Sequence, residues 1–81
     1  MTKIQYKYGF GRSLMNNLDW LDVFEIAIEL NDKFPEIDPQ WISFPDLHKK
    51  VCELNTFDGD PSKSNEKILE AIQMHWIEEY Q

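Results

Sequence analysis

The stretch Asp22–Phe34, "DVFEIAIELNDKF", decides how the rest of the chain is read. Val23, Ile26, Ala27, Leu30 and Phe34 recur at helical spacing, which lines one side of an α-helix with apolar side chains. Asp22 stands just before the stripe and Glu25 follows three residues on, as in a capping box, so Asp22 is expected to cap the helix. Pro35 ends it, because a proline pushes the preceding residue away from helical backbone angles. A helix with one apolar stripe must bury that stripe against something. The flanking segments supply the candidates.

Downstream, "PEIDP" (35–39) is a proline-bracketed turn, and "WISF" (41–44) is expected to run extended into a second helix. Ser43 reads as the cap of that helix, with Pro45 tolerated in its first turn and Asp46 three residues after the cap. Phe44, Leu47, Val51 and Leu54 mark the buried face of "FPDLHKKVCEL". The loop "NTFDGDPSKS" (55–64) follows. Asp60, Ser62 or Ser64 is expected to cap a last helix, with Asp58 favouring its positive end. Ile68, Leu69, Ile72 and Trp76 form that helix's inner face. The expected burial anchors are Trp20, Phe34, Phe44, Leu47, Val51, Ile68, Ile72 and Trp76. The patterns predict a small, mainly α domain of three to four helices with little or no sheet.

Upstream, "MTKIQYKYGFGRSLMNNL" (1–18) has no clean period and contains Gly9 and Gly11. It reads as a flexible basic extension ahead of a domain at 19–81. Met15 is a second candidate start, and the basic, acid-free composition also suits a short presequence. The residues leave these readings open.

A chain of 81 residues holds one small domain, and 42% apolar residues with three tryptophans argue that it folds. The single cysteine, Cys52, excludes an internal disulfide and a cysteine-rich zinc module, and suits a reducing cytoplasm. No apolar run is long enough to span a bilayer, so no membrane role is expected.

Charge is distributed unevenly. Residues 1–18 carry +3 and no acid, whereas 19–81 hold fifteen acids against five lysines, a net −10. Such a domain repels phosphate backbones, which excludes nucleic acid, and attracts cations or a basic protein surface. Asp22, Glu25, Glu29, Asp32 and Glu36 follow one another at spacings of three and four, which aligns five carboxylates along one helix face. A solvated face and a functional one both fit this pattern. Like charges at that spacing repel, and a hard cation or a basic groove would relieve them.

Other candidate sites are weaker. Read as a calcium loop starting at Asp58, the sixth position is Lys63 and the twelfth Leu69, where glycine and glutamate are required. His48 and Cys52 sit four residues apart on the second helix, too few ligands for zinc, and read as a half-buried histidine and a packed thiol. His75 is isolated. Nothing supplies a nucleophile, base and oxyanion site together, so no enzyme is expected.

The segments "W-x-D-x-x-E-I-A", "FPEIDP", "F-x-D-L-H", "VCEL", "FDGDP" and "SNEKILEAI" followed by "W-x-E-E" resemble IscX, a family of small acidic proteins of the bacterial iron–sulfur cluster assembly (ISC) system. The resemblance runs from Trp20 to about Glu79. It implies a winged-helix-like α domain that acts as a non-catalytic, monomeric, cytoplasmic regulator. Such a protein would bind iron (Fe2+ or Fe3+) weakly through surface carboxylates and dock on the cysteine desulfurase IscS, competing with the frataxin-like protein. Other ISC proteins are further partners.

By position, the family's acidic surface falls on Asp22, Glu25, Glu29, Asp32, Glu36 and Asp38, on loop residues Asp58 and Asp60, and on Glu66, Glu70, Glu78 and Glu79. Gly59 stands where the family often has an aspartate, and Asn55 and Thr56 replace residues that can be acidic, which makes this loop less negative. The segment before Trp20 lies outside the family pattern. The alternatives are a generic acidic metal-ion buffer and an adaptor for a different basic protein.

Overall fold

The computed structural model describes residues 17–81, and the three expected helices are present there. Helix α1 spans Val23–Lys33, α2 spans Phe44–Cys52 and α3 spans Glu66–Tyr80, with 3-10 turns at Pro39–Trp41 and Pro61–Lys63. The protein is mainly α. Among the described residues no strand forms, and β pairing is limited to one parallel bridge, Leu18 to Phe57. Gly9, Gly11 and Met15 lie outside the described residues.

Helix α3 packs most heavily on α1 and also meets α2 and the first 3-10 turn. Ile26, Ala27, Leu30, Leu47, Val51, Leu54, Leu69, Ile72 and Trp76 make the core with Leu18 and Trp20. Val23, Phe34, Phe44 and Ile68 are only partly buried and pack against its edge. Leu18, which the sequence assigns to the extension, is buried and tied down at both backbone groups. Its N–H donates to Thr56 O (2.8 Å), and its carbonyl accepts from the Asp58 N–H (2.7 Å).

Two of the expected side-chain caps do not form. Asp22 occupies the N-cap position of α1 but makes no side-chain cap bond. Its Oδ2 instead accepts from the Asp19 N–H (2.9 Å), while Asp19 Oδ1 accepts from the Leu21 N–H (2.9 Å), so the turn before the helix takes the carboxylate. None of Asp60, Ser62 and Ser64 caps α3. Asn65 does, its Oδ1 accepting from the Ile68 N–H at 2.8 Å. Asp60 is used one turn earlier, where Oδ1 accepts from the Ser62 N–H (3.0 Å) and hydroxyl (2.9 Å) and starts the second 3-10 turn. Ser43 caps α2 as expected, accepting from the Asp46 N–H at 3.3 Å.

The connection between α1 and α2 is also fixed. "WISF" begins inside a 3-10 turn and becomes extended only at Ile42 and Ser43. The Gln73 side-chain amide, from α3, donates to Pro39 O (2.8 Å) and to Ile42 O (3.5 Å), locking both ends of that turn to the core helix.

Candidate functional site

The acidic stripe of α1 forms along the side turned away from its apolar face. Asp22, Glu25 and Glu29 are half-buried, whereas Asp32 and Glu36 are exposed, Glu36 lying in the turn after the helix. Partial burial pushes the Glu29 carboxyl above its ordinary value, and the neighbouring Asp32 carboxylate adds to the rise. The fold therefore opposes ionisation of Glu29 and stabilises its protonated form. Stability falls as pH rises through the interval between the ordinary value of 4.5 and the raised value in the fold. Glu29→Gln is accordingly expected to stabilise the protein at neutral pH by about 0.2–0.5 kcal/mol, the size of a removed like-charge helix pair. The gain should vanish below pH 4.5. Urea titrations at both pH values check this; a variant that is less stable at neutral pH would contradict it.

The remaining acids occupy several places. Asp38 is half-buried and its Oδ1 accepts from the Gln40 N–H (3.0 Å), starting the first 3-10 turn. Asp58 and Asp60 are exposed in the loop before α3, and the two hydrogen bonds from Ser62 hold the Asp60 carboxyl below the usual carboxylate range. Glu66 and Glu70 are exposed in the first half of α3; near its end Glu78 is exposed and Glu79 half-buried. His75 Nδ1 sits 3.5 Å from Glu78 Oε1. Asp19 belongs with this set although it precedes the helix that carries the stripe: it lines a shallow hollow of about 280 Å³ with Trp20, Leu21, Gly59, Asp60, Lys63 and Ile68.

A three-ring clasp holds the loop at 57–61 to the body. Trp20 stacks on His48 (centroids 5.2 Å apart, planes 25° apart) and meets Phe57 edge-on at 4.7 Å. The Trp20 indole N–H donates to Asp60 O (2.7 Å), and His48 Nε2 lies 2.8 Å from Pro61 O. A carbonyl can only accept, so His48 donates from Nε2 there, while its Nδ1 lies 4.0 Å from Cys52 Sγ. Burial pushes the Cys52 thiol up, which keeps it protonated rather than a nucleophile. The half-buried histidine and packed thiol expected from the sequence thus carry the loop that bears Asp58 and Asp60.

Gly59 fits this clasp for a steric reason. A Cβ added there would lie 2.5 Å from Phe57 Cζ, and the Phe57 ring is already held by Trp20. Gly59→Ala is expected to cost about 1–3 kcal/mol, the usual range for overpacking. A thermal melt unchanged from wild type would show that the ring moves freely.

Among the described residues, no three His, Cys, Asp or Glu side chains gather closely enough to hold a metal ion. The acids are spread along α1, the loop before α3, and α3 itself.

The family model described as iron-sulphur cluster assembly matches residues 18–81, which takes in all the described residues except Asn17. The chain belongs to the IscX family. An uncharacterized protein of Pseudomonas aeruginosa is similar to this IscX-family chain, 54% identical over 63 residues that cover 78% of the chain and 96% of the relative. The match takes in α1, the clasped loop and α3 together, so every acid assigned to the surface lies inside the family's own boundaries.

Proposed function

We propose that this chain is a non-catalytic adaptor of iron–sulfur cluster assembly that docks through its acidic face on a basic groove of the cysteine desulfurase IscS, in competition with the frataxin-like protein. The α1 stripe carries the proposal: consecutive carboxylates run along one side of a helix whose opposite side is committed to the core. The repulsion between Glu29 and Asp32 is relieved when a cationic surface covers them. Membership of an iron–sulphur cluster assembly family directs the search for that partner to the assembly machinery. Other proteins of that machinery are further partners under the same proposal.

Iron enters as a weakly held ion. With no three-donor cluster among the described residues, the face would concentrate Fe2+ or Fe3+ near single carboxylates that leave most of the ion's water in place. We further propose that the protein acts as a cytoplasmic monomer with the three-helix, winged-helix-like body and no catalysis of its own.

The test is binding of the purified full chain to IscS at two salt concentrations, with and without ferrous iron. Salt-sensitive complex formation supports the adaptor reading. Iron uptake without any complex at low salt leaves an acidic metal-ion buffer instead, and capture of a different basic protein would redirect the partner while keeping the face.

A further inference from the structure

Trp41 is 78% exposed, yet it sits on a turn with very little freedom. Pro39 beside it is buried among the most enclosed side chains of the protein. Asp38 Oδ1 takes the Gln40 N–H (3.0 Å), and the Trp41 N–H donates to Asp38 O at 3.1 Å. From α3, the Gln73 amide grips Pro39 O and Ile42 O on either side of the indole. The backbone is therefore fixed while the largest apolar side chain in the sequence is left in water. Among the described residues nothing stacks on that ring. Isolated exposed leucines are ordinary; a rigidly presented tryptophan is the type of residue that dominates interface energetics, because holding it in place costs little further entropy on binding.

Its surroundings restrict what can cover it. Glu36 and Asp38 precede it in the same connection, and residues 19–81 carry a net −10. A second copy of the chain, or an anionic membrane, would bring like charge against this turn. An apolar recess rimmed by lysine or arginine matches both features: it takes the indole, its rim faces the two acids, and a cation can also lie over the indole face.

We infer that Trp41 is the apolar anchor of the docking surface and inserts into a cation-rimmed recess on the basic partner, with Glu36 and Asp38 meeting the rim. The inference rests on the adaptor reading above. It adds to it a contact that salt does not screen, so complex formation has a hydrophobic part at 41 and an electrostatic part along α1.

The full chain and its Trp41→Ala and Trp41→Phe variants are titrated against IscS at low and high salt. Melting curves confirm folding, which the exposed side chain should not affect. Trp41→Ala should weaken binding at least fivefold, by a similar factor at both salt concentrations, and Trp41→Phe should recover part of the loss. Acrylamide quenching gives a second readout. Trp20 and Trp76 are 4% and 0% exposed, so the difference between wild type and Trp41→Phe reports position 41, and that difference should shrink in the complex.

A loss smaller than fivefold, or a Trp41 that stays quenchable in a formed complex, overturns the anchor while leaving the adaptor reading intact. Self-association of the wild type that Trp41→Ala abolishes would assign the indole to a second copy and overturn the proposal. Failure of the wild type to bind IscS at low salt overturns both readings together.

Discussion

Trp20→Ala is expected to leave much of the protein unfolded at physiological temperature. Trp20 is 4% exposed and joins three parts of the chain: the segment before α1, His48 on α2, and the loop at 57–61. Removing a buried tryptophan costs about 3–5 kcal/mol. A domain this small sits toward the low end of the usual range of about 5–15 kcal/mol of total stability. The loss goes beyond the cavity. Phe57 loses its edge-on partner and His48 its stacking surface, each worth about 0.5–1.5 kcal/mol in aromatic pairs. With Trp20 gone, the Asp60 carbonyl returns to water, and the loop keeps the Leu18 backbone bonds, the Phe57 N–H bond to Leu54 O and the His48–Pro61 contact.

Urea denaturation measures the effect directly. Trp20→Phe, which keeps a ring but lacks the N–H, should fall between wild type and alanine. Amide exchange at Asp58, whose N–H is bonded to Leu18 O, should accelerate before global unfolding does. A loss below about 1 kcal/mol in the alanine variant would mean that the rings touch without holding the loop.

The second large effect is on binding. Glu29→Lys with Asp32→Lys places two positive charges where two negative ones stood, a change of four charge units in the middle of the α1 stripe. Against a basic groove this should weaken docking on IscS by roughly 10- to 100-fold at low salt, since opposed like charges cost several kcal/mol before screening. Near 1 M salt, where screening acts within about 3 Å, the difference should largely close. Folding should survive: Asp32 is exposed, and a lysine at 29 can carry its ammonium out to water along its own stem. Equal affinity of wild type and double variant at low salt would remove α1 from the interface. In that case the loop acids Asp58 and Asp60 and the early α3 acids Glu66 and Glu70 become the surface to test.

These two experiments separate what the clasp does from what the stripe does. The clasp positions acids by holding the loop, and its failure is read as lost stability. The stripe carries charge on a helix that folds for other reasons, and its failure is read as lost affinity. Gly59→Ala belongs with the first kind, because it crowds Phe57 without altering any charge.

Much of the fold could be read from local pattern. The apolar stripe from Val23 to Phe34 requires a helix whatever it packs against, and Ser43 before "FPD" starts α2 because a hydroxyl three residues from a free N–H satisfies it. The acidic stripe is legible for the same reason, since spacing of three and four alone aligns side chains on a helix. Capping at the other two helices was not legible. Asp22 and Asp60 are good caps by type, but each carboxylate is taken by a neighbouring turn, through Asp19 and Ser62 respectively, and Asn65 then starts α3. Residue type alone does not settle such a competition among nearby acceptors, because the winner depends on where the backbone N–H groups point.

Local pattern thus specifies the set of helices, the side each one buries, the acidic field and the family. Packing specifies what lies far apart in the chain: that Trp20, His48 and Phe57 close on one another and that Gln73 fixes the turn at Pro39–Trp41. It also leaves Trp41 facing solvent while Trp20 and Trp76 are buried. The difference is one of range. Helix periodicity and charge spacing are set within a few residues, whereas ring stacking and side-chain grips on distant carbonyls exist only once α1, α2 and α3 have packed and brought those residues together.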